Sequence, residues 1–337
     1  MTALPTEGGL IRVDVLTGFL GSGKTSLVRR LAESGALDDA AILVNEFAGL
    51  GVDQGLIGLS GATAALVGDR CLCCVADGSV RAALLGMLEA RASGRLPPFA
   101  RILIETSGLA DPTGLLAALA SDPMLRPRLR AGRVVTLVDL CHGAVTLDES
   151  EEAIAQVLAA DIVLLTKGDL AEPDAAPALT ERIATLNPIA RIEAATGTDP
   201  FDRAALPDQS LPSRRFHAAP VAPRHGQVAA GVLLADEPVE WARFAAWLSL
   251  LLHRHGGAIL RIKGRVGILA DGVPASVIIQ SVRHVVHTPE HAPAGDGEGG
   301  TALVVITRAL SPERLVRSFD RHVLGAAGEV AQARAAG

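Results

Sequence analysis

The run VDVLTGFLGSGKTSLVRRL, residues 13–31, decides how the rest of this chain is read. Its centre places Gly18, four residues, then Gly23, Lys24 and Thr25, the spacing of a phosphate-binding loop. Such a loop sits between a strand and a helix, where backbone N–H groups at the helix N-terminus surround phosphate oxygens. Both flanks are present: Leu10, Ile11, Val13, Val15 and Leu16 form a β-rich run, and Leu27, Val28 and Leu31 recur at helical spacing. Gly18, Gly21, Ser22, Gly23, Lys24, Thr25 and Ser26 are the candidate nucleotide-binding residues. Lys24 is expected on the β- and γ-phosphates and the Thr25 hydroxyl on Mg²⁺. A glycine-rich turn with an incidental lysine is the competing reading, and the flanks argue against it.

Outward from that loop, strand, loop and helix alternate. Apolar runs end in polar motifs at Ala40–Val44 (then Asn45, Glu46, Phe47), Arg101–Ile104 (then Glu105, Thr106, Ser107, Gly108) and Ile162–Leu165 (then Thr166, Lys167, Gly168, Asp169). Shorter β-rich runs lie at Thr63–Val67, Arg133–Val138 and Ile189–Ile192, with helices expected at Ser79–Ala92, Asp148–Ala159 and up to Leu186. Polar motifs gathered where strands end predict a doubly wound, mostly parallel α/β sheet with ligands outside the strands' carboxyl ends. Prolines at 200, 207, 212, 220 and 223 then interrupt the pattern. The expected division is a nucleotide domain at 10–197, a linker at 198–227, a small α+β C-terminal domain at 228–324 and a tail at 325–337. In the C-terminal domain a helix from Val239 to Arg254 would carry Trp241, Phe244, Trp247 and Leu248 on one face.

The 337 residues are enough for two cores, and 49% hydrophobic against 20% charged residues is the balance of a folded chain. A formal charge of −6 argues against a nucleic-acid surface. Arg126, Arg128, Arg130 and Arg133 are the local exception and read as a solvated loop, with a partner-docking patch as the other reading. No secretory signal or membrane-length apolar run is visible, so no membrane association is expected. Four cysteines, three of them within Cys71–Cys74, suit a reducing cytoplasm better than a disulfide framework.

Three motifs carry chemistry beyond the phosphate loop. A strand-end Thr166-Lys167-Gly168-Asp169 places an aspartate to accept from guanine N1–H and its exocyclic amine, a donor pair that adenine lacks. Thr166, Lys167 and Asp169 are therefore expected at the base, with GTP preferred. Glu105 reads either as the carboxylate that holds Mg²⁺, with the Gly108 N–H sensing the γ-phosphate, or as part of a helix-capping turn. Glu46 is a further candidate for holding water or metal, whereas Asp139 reads as a strand-end cap.

Cys71, Cys73 and Cys74 offer three soft thiolates, suited to Zn²⁺ or a related ion and one ligand short of a closed tetrahedral site. Buried small side chains or a redox pair are the alternatives. Cys141 beside His142 reads as core, with a reserve metal ligand as the second reading. His284 and His287 are expected on a strand, pointing to opposite faces.

GFLGSGKT, NEF, CLCC, ETSGLADP, TKGDL and the tail-domain segments EWARFAAWL and GRV together resemble the CobW family of P-loop GTPases, over nearly the whole chain. The resemblance implies a doubly wound P-loop GTPase sheet followed by a CobW-type C-terminal domain. It also implies slow GTP hydrolysis, with Lys24, Thr25, Glu46 and Glu105 as the catalytic set. Hydrolysis would be coupled to delivery of Zn²⁺ or Co²⁺ from Cys71, Cys73 and Cys74. The implied partners are a metal-receiving client or a cofactor-biosynthesis enzyme, with a second copy of the chain as a further candidate. A GTP-dependent interaction switch with a purely structural zinc is the alternative. The chain departs from the family pattern at Gly49, where a second acidic residue is usual, and at Arg70, where glycine usually precedes the cysteines.

Overall fold

A computed structural model describes residues 9–44, 63–66, 79–195, 228–270, 272–283, 285–287, 289–291 and 300–325. The chain divides into two compact units, Met1–Ile183 with Ala190–Pro207, and Asp208–Gly337 with Ala184–Ile189.

In chain order, the first unit contains β1 (Ile11–Gly18), α1 (Lys24–Glu33), β2 (Ala40–Val44), β3 (Thr63–Leu66), α2 (Ser79–Ala92) and β4 (Arg101–Glu105). It continues with α3 (Thr113–Ser121), β5 (Leu129–Asp139), α4 (Gly143–Glu149), α5 (Glu151–Ala159), β6 (Ile162–Thr166), α6 (Ala175–Leu186, which crosses the division) and β7 (Arg191–Ala194). The strands form one parallel sheet in the order β3-β2-β4-β1-β5-β6-β7. Parallel strands covered on both faces need continuous apolar runs. AAILV of β2, RILIE of β4 and IVLLT of β6 are buried at every position. Leu27, Val28 and Leu31 of α1 pack with Leu16, Val135, Leu137, Ile162 and Leu164 in one cluster. The order places β1 between β4 and β5, so the polar strand ends converge at the crevice beside β1.

Three expectations are corrected in this unit. Strand β5 begins at Leu129, ahead of the β-rich run expected from Arg133, so Arg130 is a strand residue rather than part of a solvated loop. The reason is pairing with β1, where Ile11 meets Leu129 and Arg12 meets Arg130 before a bulge shifts the register between Val13 and Val15. Asp14 sits at that bulge, fully buried, accepting from Arg12 Nε at 2.9 Å and from the Arg133 N–H at 2.9 Å. Burial pushes its carboxyl pKa up, against the opposing pull of Arg12 and these hydrogen bonds.

The single helix expected over 148–159 is two helices. Ser150 takes an extended backbone (φ −119°, ψ 121°), ends α4 and caps α5, its hydroxyl accepting from the Ala153 N–H at 3.1 Å. Third, Cys141 is exposed rather than packed in the core, because it lies beyond the carboxyl end of β5 at Asp139.

The second unit comprises β8 (Val228–Ala235), β9 (Val239–Glu240), α7 (Trp241–His255), β10 (Ile259–Ala270), β11 (Val273–Val282), β12 (Val285–Val286), β13 (Glu290–His291), β14 (Thr301–Arg308) and α8 (Pro312–Phe319). A π-helical turn follows at Asp320–Leu324. The main path β12-β11-β10-β14-β8 is antiparallel, with β13 on β11 and β9 running parallel to β10. Phe244, Trp247 and Leu248 of α7 and Phe319 of α8 join Ile262, Val305 and Leu303 of the sheet in one core. Trp241 is only partly buried at its margin. Trp247 meets Phe319 edge-on at 5.3 Å, so the scarce aromatics are concentrated here. His287 lies just beyond β12 rather than on a strand, because the chain turns after Val282; His284 lies outside the described residues.

Candidate nucleotide site

The loop between β1 and α1 is shaped by backbone constraints. Gly18 has φ 140°, and a Cβ there would fall 2.5 Å from the Leu137 carbonyl oxygen, so no other residue fits. Gly23, left-handed at φ 98°, is the N-cap of α1, and no side chain caps that helix. Its first-turn amides therefore open towards the loop. Lys24 is buried, and its ammonium donates to the Gly18 carbonyl at 2.8 Å and the Phe19 carbonyl at 3.2 Å. A lysine held across its own loop is a fixed positive charge at the floor of the crevice.

The other motifs arrive from neighbouring strand ends. Glu105, opposite Leu16 in the β1–β4 register, accepts from the Thr25 hydroxyl at 2.7 Å through Oε1. The next residue ties β4 to β1 twice: the Thr106 N–H donates to the Leu16 carbonyl at 2.9 Å, and its hydroxyl bonds the Thr17 hydroxyl at 2.8 Å. Gly108 is pressed against the loop, since a Cβ on it would fall 2.7 Å from the Leu20 nitrogen. The Thr166 hydroxyl donates to the Ser22 carbonyl at 2.9 Å, joining the T-K-G-D segment directly to the phosphate loop. Asp169 is exposed, as are Gly21 and Ser26. The structure thus gathers Gly18, Gly21, Ser22, Gly23, Lys24, Thr25, Ser26, Glu105, Gly108, Thr166, Lys167 and Asp169 on or beside one loop and the adjoining strand ends. Glu46, Cys71, Cys73 and Cys74, with Gly49 and Arg70, lie outside the described residues.

Two contributors escaped the sequence reading. Asp139 is a cap, accepting from the Cys141 N–H at 2.7 Å, but its Oδ2 also binds the Lys167 ammonium. The contact follows from a register that only the sheet sets: Asp139 lies opposite Thr166 in the β5–β6 pair. Partial burial pushes its pKa up, but the hydrogen bonds from Lys167 and Cys141, the Lys167 charge and His142 outweigh this and hold it below the ordinary carboxylate range. Lys167 adopts a left-handed backbone (φ 59°), uncommon for a residue with a side chain, and the ion pair anchors it.

Gln156 of α5 is the second. Buried, it donates from Nε2 to the Gly108 and Ala110 carbonyls, both at 3.0 Å, and so pins the segment after β4. Nothing in its local sequence marks it. Ser22, Asp139, Gln156 and Lys167 help to line a cavity of about 220 Å³ against the phosphate loop.

A hydroxyl and a carboxylate converging beside a phosphate loop are oxygen donors of the kind Mg²⁺ takes, so Thr25 and Glu105 fit that ion. Among the described residues no group of three or more His, Cys, Asp or Glu side chains could hold a metal. Nor is any described helix long and apolar enough to cross a membrane.

Residues 12–193 match the family model described as CobW/HypB/UreG, nucleotide-binding domain. The chain belongs to this family. Residues 228–323 match the cobalamin synthesis protein CobW C-terminal domain, so both parts of a CobW protein are present in order. Over 318 residues the chain is 30% identical to the zinc chaperone YjiA of Escherichia coli, covering 92% of this chain and 98% of that protein. It is 28% identical over 360 residues to the zinc chaperone CobW of a Sinorhizobium species, covering 94% and 98%. A zinc-regulated GTPase metalloprotein activator of Schizosaccharomyces pombe is 32% identical over 191 residues, 54% of this chain and 45% of that one. The crystal structure of the Zn(II)-bound YjiA GTPase superposes with a TM-score of 0.69 at 28% identity, over 93% of this chain and 99% of that one.

Proposed function

We propose that this CobW-family chain binds and hydrolyses GTP and uses the nucleotide state to control custody of a transition metal, delivered to a client protein or cofactor-biosynthesis enzyme. The observation that carries the reading is the 2.7 Å contact between Thr25 and Glu105 beside the buried Lys24. It brings phosphate-binding charge and Mg²⁺-type oxygen donors to one crevice, and the Thr166–Ser22 hydrogen bond links guanine recognition to the same loop.

In the proposed reaction Lys24 and the α1 amides neutralise the triphosphate, while Thr25 and Glu105 would hold the Mg²⁺ that accompanies GTP. That ion would neutralise charge developing between the β- and γ-phosphates. Catalysis is then positional and electrostatic, from donors already in place, and slow intrinsic turnover is expected. Gly108, which packs against Leu20, would sense the γ-phosphate through its N–H. The metal is cargo: Cys71, Cys73 and Cys74 supply soft thiolates suited to Zn²⁺ or Co²⁺, and the names of the relatives favour zinc. Glu46 and the three cysteines all lie in sequence between Thr25 and Glu105, so two residues of the nucleotide site bound the proposed metal ligands in the chain.

Metal affinity measured by competition in the nucleotide-free, GDP and GTP states tests the coupling. Metal affinity that differs between GDP and GTP is expected, with metal changing the ratio of GTP to GDP affinity by the same factor. Equal metal affinity in all three states rejects it and leaves a structural zinc.

A further inference from the structure

The helical face of the C-terminal unit carries a groove of about 560 Å³ between α7, α8 and the π-helical turn. Its floor is apolar: Trp247, Leu251 and Leu315 reach it from the core, and Leu250 stands beside them 59% exposed. The floor is also rigid, because Trp247 packs edge-on against Phe319 and its Nε1 donates to the Ser318 hydroxyl at 3.1 Å. On α7 the positions 243, 247, 250, 251 and 254 share one stripe by helical spacing, so arginines bracket the apolar residues at both ends.

Arg243, Arg254 and Arg314 line the groove, all exposed, and no carboxylate lines it among the described residues. Arg243 pairs with Glu240 at 3.0 Å, but both side chains are 58% exposed, and such a pair is readily exchanged for another. This concentration of cations occurs in a chain whose formal charge is −6, so it is not a consequence of overall composition.

We propose that this groove docks an acidic amphipathic helix from a partner protein. An apolar floor with a cationic rim complements a helix carrying leucine-type anchors at i, i+3 or i+4 and i+7, flanked by Asp or Glu. The stripe from Arg243 to Arg254 spans about 16 Å at 1.5 Å per residue, about three turns of such a helix. A nucleic acid would meet the same arginines, but it offers no matching apolar face, and the acidic chain repels it. The proposal stands on the C-terminal unit alone and does not depend on GTP hydrolysis.

The test titrates the full chain with two labelled peptides of about four helical turns, identical in their leucine face and flanked by Glu in one and Lys in the other. Binding of the Glu peptide is expected to be at least about tenfold tighter, to weaken with salt, and to perturb tryptophan fluorescence through Trp247. The Arg254→Glu, Arg314→Glu double variant replaces exposed side chains and is expected to melt as the parent does while losing about tenfold in affinity; Leu250→Ser should weaken both peptides. Equal binding of the two peptides, no binding of the Glu peptide, or an unaffected double variant would overturn the proposal. So would tighter binding of a single-stranded oligonucleotide, or self-association abolished by the double variant, which would make a second copy the occupant.

Discussion

Thr25 and Glu105, separated by 80 residues in the chain, share a 2.7 Å hydrogen bond. One stands in the first turn of the helix after the phosphate loop and the other ends the strand beside β1. Glu105→Gln keeps the shape and an acceptor oxygen but removes the charge. GTP turnover is expected to fall about 10²–10³-fold while nucleotide binding survives. Thr25→Ala should lower turnover similarly and blunt its dependence on Mg²⁺ concentration. Single-turnover hydrolysis with parallel nucleotide titrations checks both. If Glu105 is only a turn-capping residue, turnover will follow the folded fraction and nothing else.

Asp169 is exposed at the end of the T-K-G-D segment, whose Thr166 is hydrogen-bonded to the phosphate loop. Its carboxylate is expected to accept two hydrogen bonds from guanine. Asp169→Asn replaces one acceptor with a donor, which mismatches guanine and matches the 2-carbonyl of xanthine. GTP affinity should drop about 10²-fold, the scale of losing charge-assisted hydrogen bonds, with a relative gain for XTP. An unchanged GTP-to-XTP ratio would move guanine recognition away from Asp169.

The Asp139–Lys167 ion pair gives a pH dependence with a defined sign. Asp139's folded pKa lies below its ordinary value, once the hydrogen bonds from Lys167 and Cys141 outweigh partial burial. The folded state therefore binds fewer protons than the unfolded one in this range. The contribution is fully present above about pH 4 and is lost as pH falls through the lowered folded value. Asp139→Asn is expected to cost about 1 kcal/mol near neutrality and to remove that share of the acid-side decline, read from denaturant midpoints against pH. A parallel downward shift of the whole profile would assign the loss to packing.

Gln156 is buried at 1% exposure and donates to the carbonyls of Gly108 and Ala110. Gln156→Leu conserves bulk and deprives both carbonyls of a donor. The expected cost is about 1–3 kcal/mol by denaturant midpoint with the slope unchanged. If Gln156 also positions Gly108 for the γ-phosphate, turnover will fall at denaturant-free conditions where the variant is fully folded. Unchanged turnover restricts Gln156 to stability.

Much of this architecture was legible because it is written locally. The apolar runs of β2, β4 and β6 are buried at every position, and a phosphate loop needs only its glycines, its lysine and correct flanks. What escaped was non-local. Strand β5 extends to Leu129 because β1 offers partners at Ile11 and Arg12, and no property of an arginine-rich segment announces a neighbouring strand. Ser150 divides a helical pattern because its own side chain caps the second half, a choice the apolar period does not reveal.

The sequence by itself determined the element types, the strand-end placement of the polar motifs and the family, since each depends on residues adjacent in the chain. Only tertiary structure decided the relationships that make those motifs one site. Thr25 meets Glu105, Thr166 reaches Ser22, Asp139 holds Lys167 and Gln156 pins Gly108. Each of these pairs is brought together by a strand order that places β1 between β4 and β5 with β6 beyond, or by a helix packed against that sheet. Hydrogen bonds act over about 3 Å, so residues distant in the chain can share one only after the sheet has set their register.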